Sequence, residues 1–240
     1  MIQPKYIHLD EVGSTNDFLR QYEGDEPLVV AWTDFQQAGR GQGSNRWESE
    51  RGKNLTFSML FHPDQVNAHE QYVLSMAVAA TMRKYLAQEL TEEVCIKWPN
   101  DIYVGDQKIA GILIENSLSG TMIRNCVVGI GLNVNQTVFR SDAPNPISMA
   151  QLEGHEWDRE KVLHDIVDLF VWQLEHFHRD KIREKYRRHL YRREGFYLYR
   201  DADGTFEAEL VGVEDDGHLV LRDKADNLRT YAFKEVQFLV

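Results

Sequence analysis

The stretch Lys97-Trp98-Pro99-Asn100-Asp101-Ile102-Tyr103-Val104-Gly105-Asp106-Gln107-Lys108-Ile109-Ala110-Gly111-Ile112-Leu113-Ile114-Glu115 gathers two cations, three acids and an asparagine around two β-rich runs. Ile102 to Val104 and Ile109 to Ile114 read as strands, and Gly105-Asp106-Gln107 is the turn chemistry of a tight hairpin. Lys108 then stands at the root of the second strand. A lysine held there by a sheet meets an anion at less ordering cost than one on a loop. On periodicity alone this is an ordinary hairpin with a solvated lysine. Trp-Pro-Asn-Asp, however, has no obvious use as strand or turn filler.

Towards the N-terminus, Tyr6 to Leu9 alternates like a short strand, and Ser14-Thr15-Asn16-Asp17 opens a helix with Phe18, Leu19 and Tyr22 at helical spacing. Ser14 with Asp17 fits a capping box. The same helix start offers free amides and hydroxyls to a polar ligand, and Thr15 and Asn16 are left over for one. Leu28 to Trp32 is a continuous apolar run, as in a strand buried on both faces. It leads through Gln36 into Gly39-Arg40-Gly41-Gln42-Gly43-Ser44-Asn45-Arg46-Trp47. Glycines let backbone amides approach a phosphate, and arginines add charge and forked donors. By its glycine spacing alone the segment is equally a flexible surface loop.

Leu55 to Phe61 alternates as a strand, and His69 to Leu90 carries the stripe of a core-facing helix. Met122 to Val134 is a further strand ending in Gly129-Ile130-Gly131-Leu132-Asn133. Its glycines either ease packing or make room for a flat ligand addressed by Asn133. Gln136 to Ser148, with Pro144 and Pro146, is a loop. Arg159 to His189 reads as two helices broken near Asp180. The basic tract Lys181 to Arg193, interrupted by Glu184, reads as a solvated helix face. After Gly195, short alternating strands separated by Asp201-Ala202-Asp203-Gly204, Asp215-Asp216-Gly217 and Lys224-Ala225-Asp226-Asn227 suggest a small β-barrel.

At 240 residues the chain can form one domain with a small appendage, and its 42% hydrophobic and 27% charged content is that of a globular protein. Its 27 Lys and Arg against 38 Asp and Glu give a net charge of -11, which disfavours non-specific binding to nucleic acid or anionic membrane. An anionic small molecule needs only a few local cations and is not excluded. No apolar run is long enough for a membrane span, and the N-terminus has no signal-peptide pattern, so a cytoplasmic address is expected. Cys95 and Cys126 stand alone in apolar runs and read as small buried hydrophobes.

The Lys97 to Glu115 string resembles the KWPND...K..GIL.E signature of the biotin protein ligases. Four blocks occur in that family's order: Ser14-Thr15-Asn16, Gln36 through Trp47, Lys97 through Glu115, and Gly129 through Asn133. The resemblance implies an α+β fold, a mixed sheet with helices on one face like the class II aminoacyl-tRNA synthetases, over residues 1–194. It adds a small SH3-like β-barrel over residues 195–240. It implies activation of biotin with ATP and Mg2+ to biotinyl-5'-AMP, then transfer to a lysine of a biotin carboxyl carrier domain.

Carried over residue by residue, Ser14, Thr15, Asn16, Gln36, Arg40, Gly41, Gln42, Lys108 and Gly111 are expected at biotin. Arg40, Trp47, Asn100, Asp101, Lys108 and Asn133 are expected at ATP, with Lys108 and Arg40 catalytic. Trp47 and Trp98 are candidate pocket walls. Metal ligands stay open, and a homodimer is plausible by analogy. Members of the family often carry an N-terminal DNA-binding domain; its absence from this sequence leads to an expectation of no nucleic-acid partner. Where the family's loop usually reads Gly-Arg-Gly-Arg, this chain has Gly39-Arg40-Gly41-Gln42. Weaker retention of the adenylate is expected, with Arg46 compensating in part. The alternatives are a lipoate-protein ligase and a non-catalytic biotin or nucleotide sensor of the same fold.

Overall fold

The computed structural model describes residues 2–43, 45–140 and 145–239. In chain order β1 (Lys5–Leu9), α1 (Thr15–Arg20), β2 (Leu28–Thr33) and β3 (Leu55–Phe61) precede the long helix α2 (Tyr72–Glu89). β4 (Val94–Lys97), β5 (Asp101–Val104), β6 (Gln107–Ser119) and β7 (Met122–Leu132) follow, then α3 (Met149–Glu153), α4 (Arg159–Glu175) and α5 (Arg179–Arg188). The remainder is β8 (Phe196–Asp201), β9 (Gly204–Val213), β10 (Leu219–Asp223), β11 (Leu228–Tyr231) and β12 (Gln237–Phe238).

The first seven strands form one sheet in the order β1-β2-β3-β7-β6-β5-β4. β1 and β2 pair in parallel and the other neighbours antiparallel, so the sheet is mixed as expected. Gly105, at φ +54, makes the tight β5–β6 turn that the sequence requires.

One face of this sheet carries the main core, in which Phe57, Met59, Val128, Ile130 and Ile112 pack with α2 and α4. α2 is buried around most of its circumference because α4 and α5 cover the side turned away from the sheet. The opposite face is not left to solvent. α1 lies on it, with Leu19 packed on Val29, Ala31, Leu60 and Val127. β3 is therefore buried at every position: Leu55, Phe57, Met59 and Phe61 face α2 and α4, and Thr56, Ser58 and Leu60 face the other way.

The break between the long helices falls at residues 176–178 rather than at Asp180, which sits in the first turn of α5 where an acid is favourable. α3 was not legible as a helix because it is five residues long. It is fixed by a capping box between Ser148 and Gln151 and by Gly154 in the left-handed region. Part of the expected loop, residues 141–144 with Pro144, lies outside the described residues.

The last five strands make an antiparallel sheet in the order β11-β10-β9-β8-β12, with β11 and β12 at its two ends. No pairing between those ends closes it into a barrel among the described residues. It docks on the larger sheet through the basic tract, so the reading of that tract as a solvated face needs correction. Arg183 pairs with Asp215 at 2.9 Å, and Arg187 donates to Val213 O at 2.8 Å. Trp98 Nε1 donates to Gly217 O at 2.9 Å, and a side chain on Gly217 would run into the Tyr72 ring. Cys126 is fully buried, and burial pushes its thiol pKa up, as a small core hydrophobe requires. No helix among the described residues is long and apolar enough to cross a membrane.

Candidate functional site

The register of the large sheet places one row of residues side by side across all seven strands: Leu9, Thr33, Thr56, Gly131, Gly111, Asp101 and Lys97. Directly paired residues share a face. The next row brings Ala31, Ser58, Gly129 and Leu113 together. Thr56 and three glycines thus form a depressed floor, with Ser58 buried against Thr15 and Asn16. A cavity of about 210 Å3 stands on it.

Trp47 and Asn16 occupy the space that the glycines leave. A Cβ on Gly131 would fall inside the Trp47 indole, and one on Gly129 would fall on the Asn16 amide. The glycine spacing does make room for something flat, and in this structure it receives the protein's own indole. Three buried polar atoms of the site, Trp47 Nε1, Thr56 Oγ1 and Gln42 Oε1, have no hydrogen-bond partner among the described residues. An unpaired buried polar group costs about 1–3 kcal/mol, so a ligand that satisfies these atoms gains from them.

At one end, Ser14 caps α1, with its Oγ 3.4 Å from the Asp17 amide. Only half of the expected capping box forms, because the Asp17 carboxylate turns to Arg40 at 2.7 Å. The cap leaves a chain of polar groups facing the cavity. Gln36 Oε1 accepts from the Thr15 amide at 2.8 Å, and the Thr15 and Ser58 hydroxyls lie 2.6 Å apart. Ser58 Oγ donates to Asn16 Oδ1 at 2.6 Å, and Asn16 Nδ2 donates to Glu115 at 2.8 Å. Glu115 also binds Arg40 at 3.0 Å. Each side chain is held by the next, which fixes donors and acceptors before any ligand arrives.

Residues 39–47 are a small hairpin rather than a floppy loop. Gly41 N donates to Asn45 O at 2.8 Å and Trp47 N to Gly39 O at 3.0 Å, setting Arg40 opposite Arg46. Ser44 lies outside the described residues. At the other end of the cavity Lys108 Nζ is 2.7 Å from Asp101 Oδ1 and 5.8 Å from the centre of the Trp47 ring. The Lys108 backbone is pinned by Asn145 O at 2.8 Å and by the Ile147 amide at 3.0 Å. Asn100 braces the Trp98 turn to β6 by donating to Ile112 O. Trp98 and Phe233 close the cavity, meeting edge to face at 6.4 Å.

Of the residues expected from the sequence, Ser14, Thr15, Asn16, Gln36, Arg40, Gly41, Gln42, Trp47, Asn100, Asp101, Lys108 and Gly111 all line this cavity. Asn133 does not. It is buried at the end of β7, where its amide donates to Ile147 O at 3.1 Å and holds the loop that pins Lys108. Its side chain thus supports the loop beside Lys108 rather than forming part of the cavity lining. Arg46 and Trp98 are also in the lining. Sequence reading missed Thr56 and Phe233 in the lining, and Ser58, which bonds Thr15 and Asn16 without lining the cavity. Hydroxyls at alternate positions of an otherwise apolar strand were a visible signal for Thr56 and Ser58. Nothing local marks Phe233, which reaches the cavity only because the second sheet docks where it does.

The fold and the cavity, lined by Thr15, Asn16 and Gln36 and by the cations Lys108 and Arg40, have the form of a small-molecule site in an α+β protein. The family model of the biotin/lipoate A/B protein ligases matches residues 10–133. A bifunctional ligase/repressor BirA from Bacillus spizizenii is 30% identical over 94% of this chain and 72% of its own length. The chain belongs to that family. It spans 64% of the corresponding Bacillus subtilis protein, also at 30% identity. A biotin–[acetyl-CoA-carboxylase] ligase from Paracoccus denitrificans is 29% identical over 79% of this chain and 82% of its own. The fold matches that of a biotin protein ligase from Aquifex aeolicus, solved with biotin and ATP, at a TM-score of 0.80 and 23% identity over 98% of this chain and 99% of that one.

Proposed function

We propose that the chain is an ATP-dependent biotin protein ligase. The biotin carboxylate attacks the α-phosphorus of ATP, the bond to the β-phosphate breaks, and pyrophosphate leaves. The amine of an acceptor lysine then attacks the acyl carbon of biotinyl-5'-AMP, forms the amide and expels AMP. The acceptor is a biotin carboxyl carrier domain of a biotin-dependent carboxylase. The observation that carries the reading is Lys108, fixed on β6 at one end of the cavity with Arg40 on the hairpin across it.

The first step joins two anions, and its barrier falls when fixed cations face the developing charge. Lys108 supplies one, oriented by Asp101, and Arg40 the other, oriented by Asp17 and Glu115. Arg46, paired with no carboxylate among the described residues, is the cation that makes up in part for Gln42. Asp101 lines the cavity with Asn100 beside it, and Mg2+ is commonly held by one or two carboxylates together with substrate phosphates. Asp101 fits that need, and the ion would offset phosphate charge when bound. The acyl acceptor needs no enzyme nucleophile.

Biotin is favoured over lipoate because Thr15, Asn16 and Gln36 in the lining are polar groups suited to a ureido head, which a dithiolane ring cannot use. Arg183 and Arg187 are engaged by the second sheet, which supports a reading without nucleic acid. The test is exchange of labelled pyrophosphate into ATP with biotin, with lipoate and with neither. Exchange should require biotin and fall at least about a hundredfold in Lys108→Ala, the scale of losing a preorganised electrostatic contact. A folded wild type that exchanges with lipoate alone would establish the lipoate reading, and one with no exchange would leave a sensor.

A further inference from the structure

Phe233 and Lys234 occupy the turn between β11 and β12, the part of the C-terminal sheet that reaches the cavity. Phe233 lines it. Lys234 has φ +73, in the left-handed region that glycine adopts freely and that costs other residues strain. Its side chain lies over the tip of the 39–47 hairpin, where a Cβ on Gly43 would stand 2.5 Å from Lys234 Nζ and 3.2 Å from its Cε. Gly43, also left-handed at φ +70, leaves the ammonium group free to approach the hairpin backbone. Among the described residues no carboxylate pairs with Lys234, whereas Arg40 and Lys108 are both matched by acids. An unmatched cation is thus brought by the second sheet to the hairpin that carries Arg40 and Arg46.

We propose that Lys234 is a binding residue for the polyphosphate of the nucleotide, presented by the C-terminal sheet and closing the hairpin over the bound phosphates. This rests on the ligase reading above, which supplies the triphosphate. Lys234 and the hairpin cations Arg40 and Arg46 repel one another while the site is empty, and a shared anion would offset that repulsion. Ligand binding and hairpin closure are then one event. It also gives the second sheet a part in binding that its distance in sequence conceals.

The test uses the full chain. Lys234→Gly removes the ammonium group while relieving the backbone, so the variant should fold with an unchanged or higher Tm. In biotin-dependent pyrophosphate exchange its KM for ATP should rise about tenfold, the size of one charge-assisted contact, with KM for biotin unchanged. Lys234→Arg should restore the KM for ATP, and the KM should depend less steeply on salt in Lys234→Gly than in wild type. An unchanged KM for ATP overturns the proposal. So does an equal rise for ATP and biotin accompanied by a lower Tm, which would make Lys234 a structural clasp. If wild type shows no exchange, the ligase reading fails separately, and ATP binding by wild type and Lys234→Gly decides the role of Lys234. Equal affinities, or no ATP binding at all, count against it.

Discussion

Gly131 shows how much one residue can carry. Its missing side chain is what lets Trp47 lie on the sheet floor between Thr56 and Gly111. An added methyl would have to share space with a rigid ring whose hairpin is itself hydrogen-bonded. Gly131→Ala is therefore expected to push Trp47 off the floor without disturbing the helix-side core. KM values for both biotin and ATP should rise by about tenfold or more, and the buried indole emission should shift towards that of an exposed one. Unchanged tryptophan emission in the variant would show that the slot has slack. The sequence marks the cavity residues whose chemistry is local. Lys108 follows from a turn and a strand, and Thr15 and Asn16 from a helix start. Alternation along Leu55 to Phe61 does not by itself mark Thr56, because it gives two faces without saying that the second one borders the cavity.

At the scale of elements, α5 carries the clearest change of meaning. A basic helix end is usually a solvated face, yet the Arg183 side chain is only 16% exposed and holds Asp215 at the turn that also accepts from Trp98. The second sheet is thereby tied to the Trp98-Pro99-Asn100 turn that borders the cavity. Because Asp215 itself stays largely exposed, loss of the pair leaves no buried charge behind. Arg183→Ala should cost about 1 kcal/mol in urea unfolding, with a rise in KM for ATP if the turn moves with it. A stability loss with kinetics untouched would separate the clamp from the site. The hairpin of residues 39–47 is the converse case. Its composition announced an anion loop, while its regular backbone pairing was hidden because glycines and polar residues do not declare register.

At the scale of the molecule, Lys97 reports on how the two sheets meet. It lies beneath Tyr103 of β5 and Tyr191 after α5, with Phe238 of β12 5.5 Å away, and donates to Tyr103 OH at 3.0 Å. Burial lowers its pKa below the usual 10.5, opposed in part by Asp101. The unfolded chain then binds the proton more tightly, so the burial penalty is fully present below the lowered pKa and is relieved as pH rises towards 10.5. Replacing the ammonium group by an apolar chain, as in Lys97→Met, removes that linkage. As pH rises from neutral towards 10.5, wild type should gain stability relative to the variant in urea unfolding. Parallel curves across that range would mean that the cage opens to water.

The sequence by itself determined the elements whose causes are local: the strands, the long helices, the turn at Gly105, the capped start of α1 and the identity of most residues around the cavity. It determined the family for the same reason, since the motif strings encode contacts made by neighbours in the chain. Only the tertiary structure decided which way those residues face and what else stands among them. The seven-strand row of Thr56, Gly131, Gly111 and Asp101, the burial of Asn133 at the end of β7, and the arrival of Phe233 and Lys234 all depend on sheet register and on how two sheets dock. Those are sums of many contacts between segments far apart in the chain, and no single stretch carries their signal.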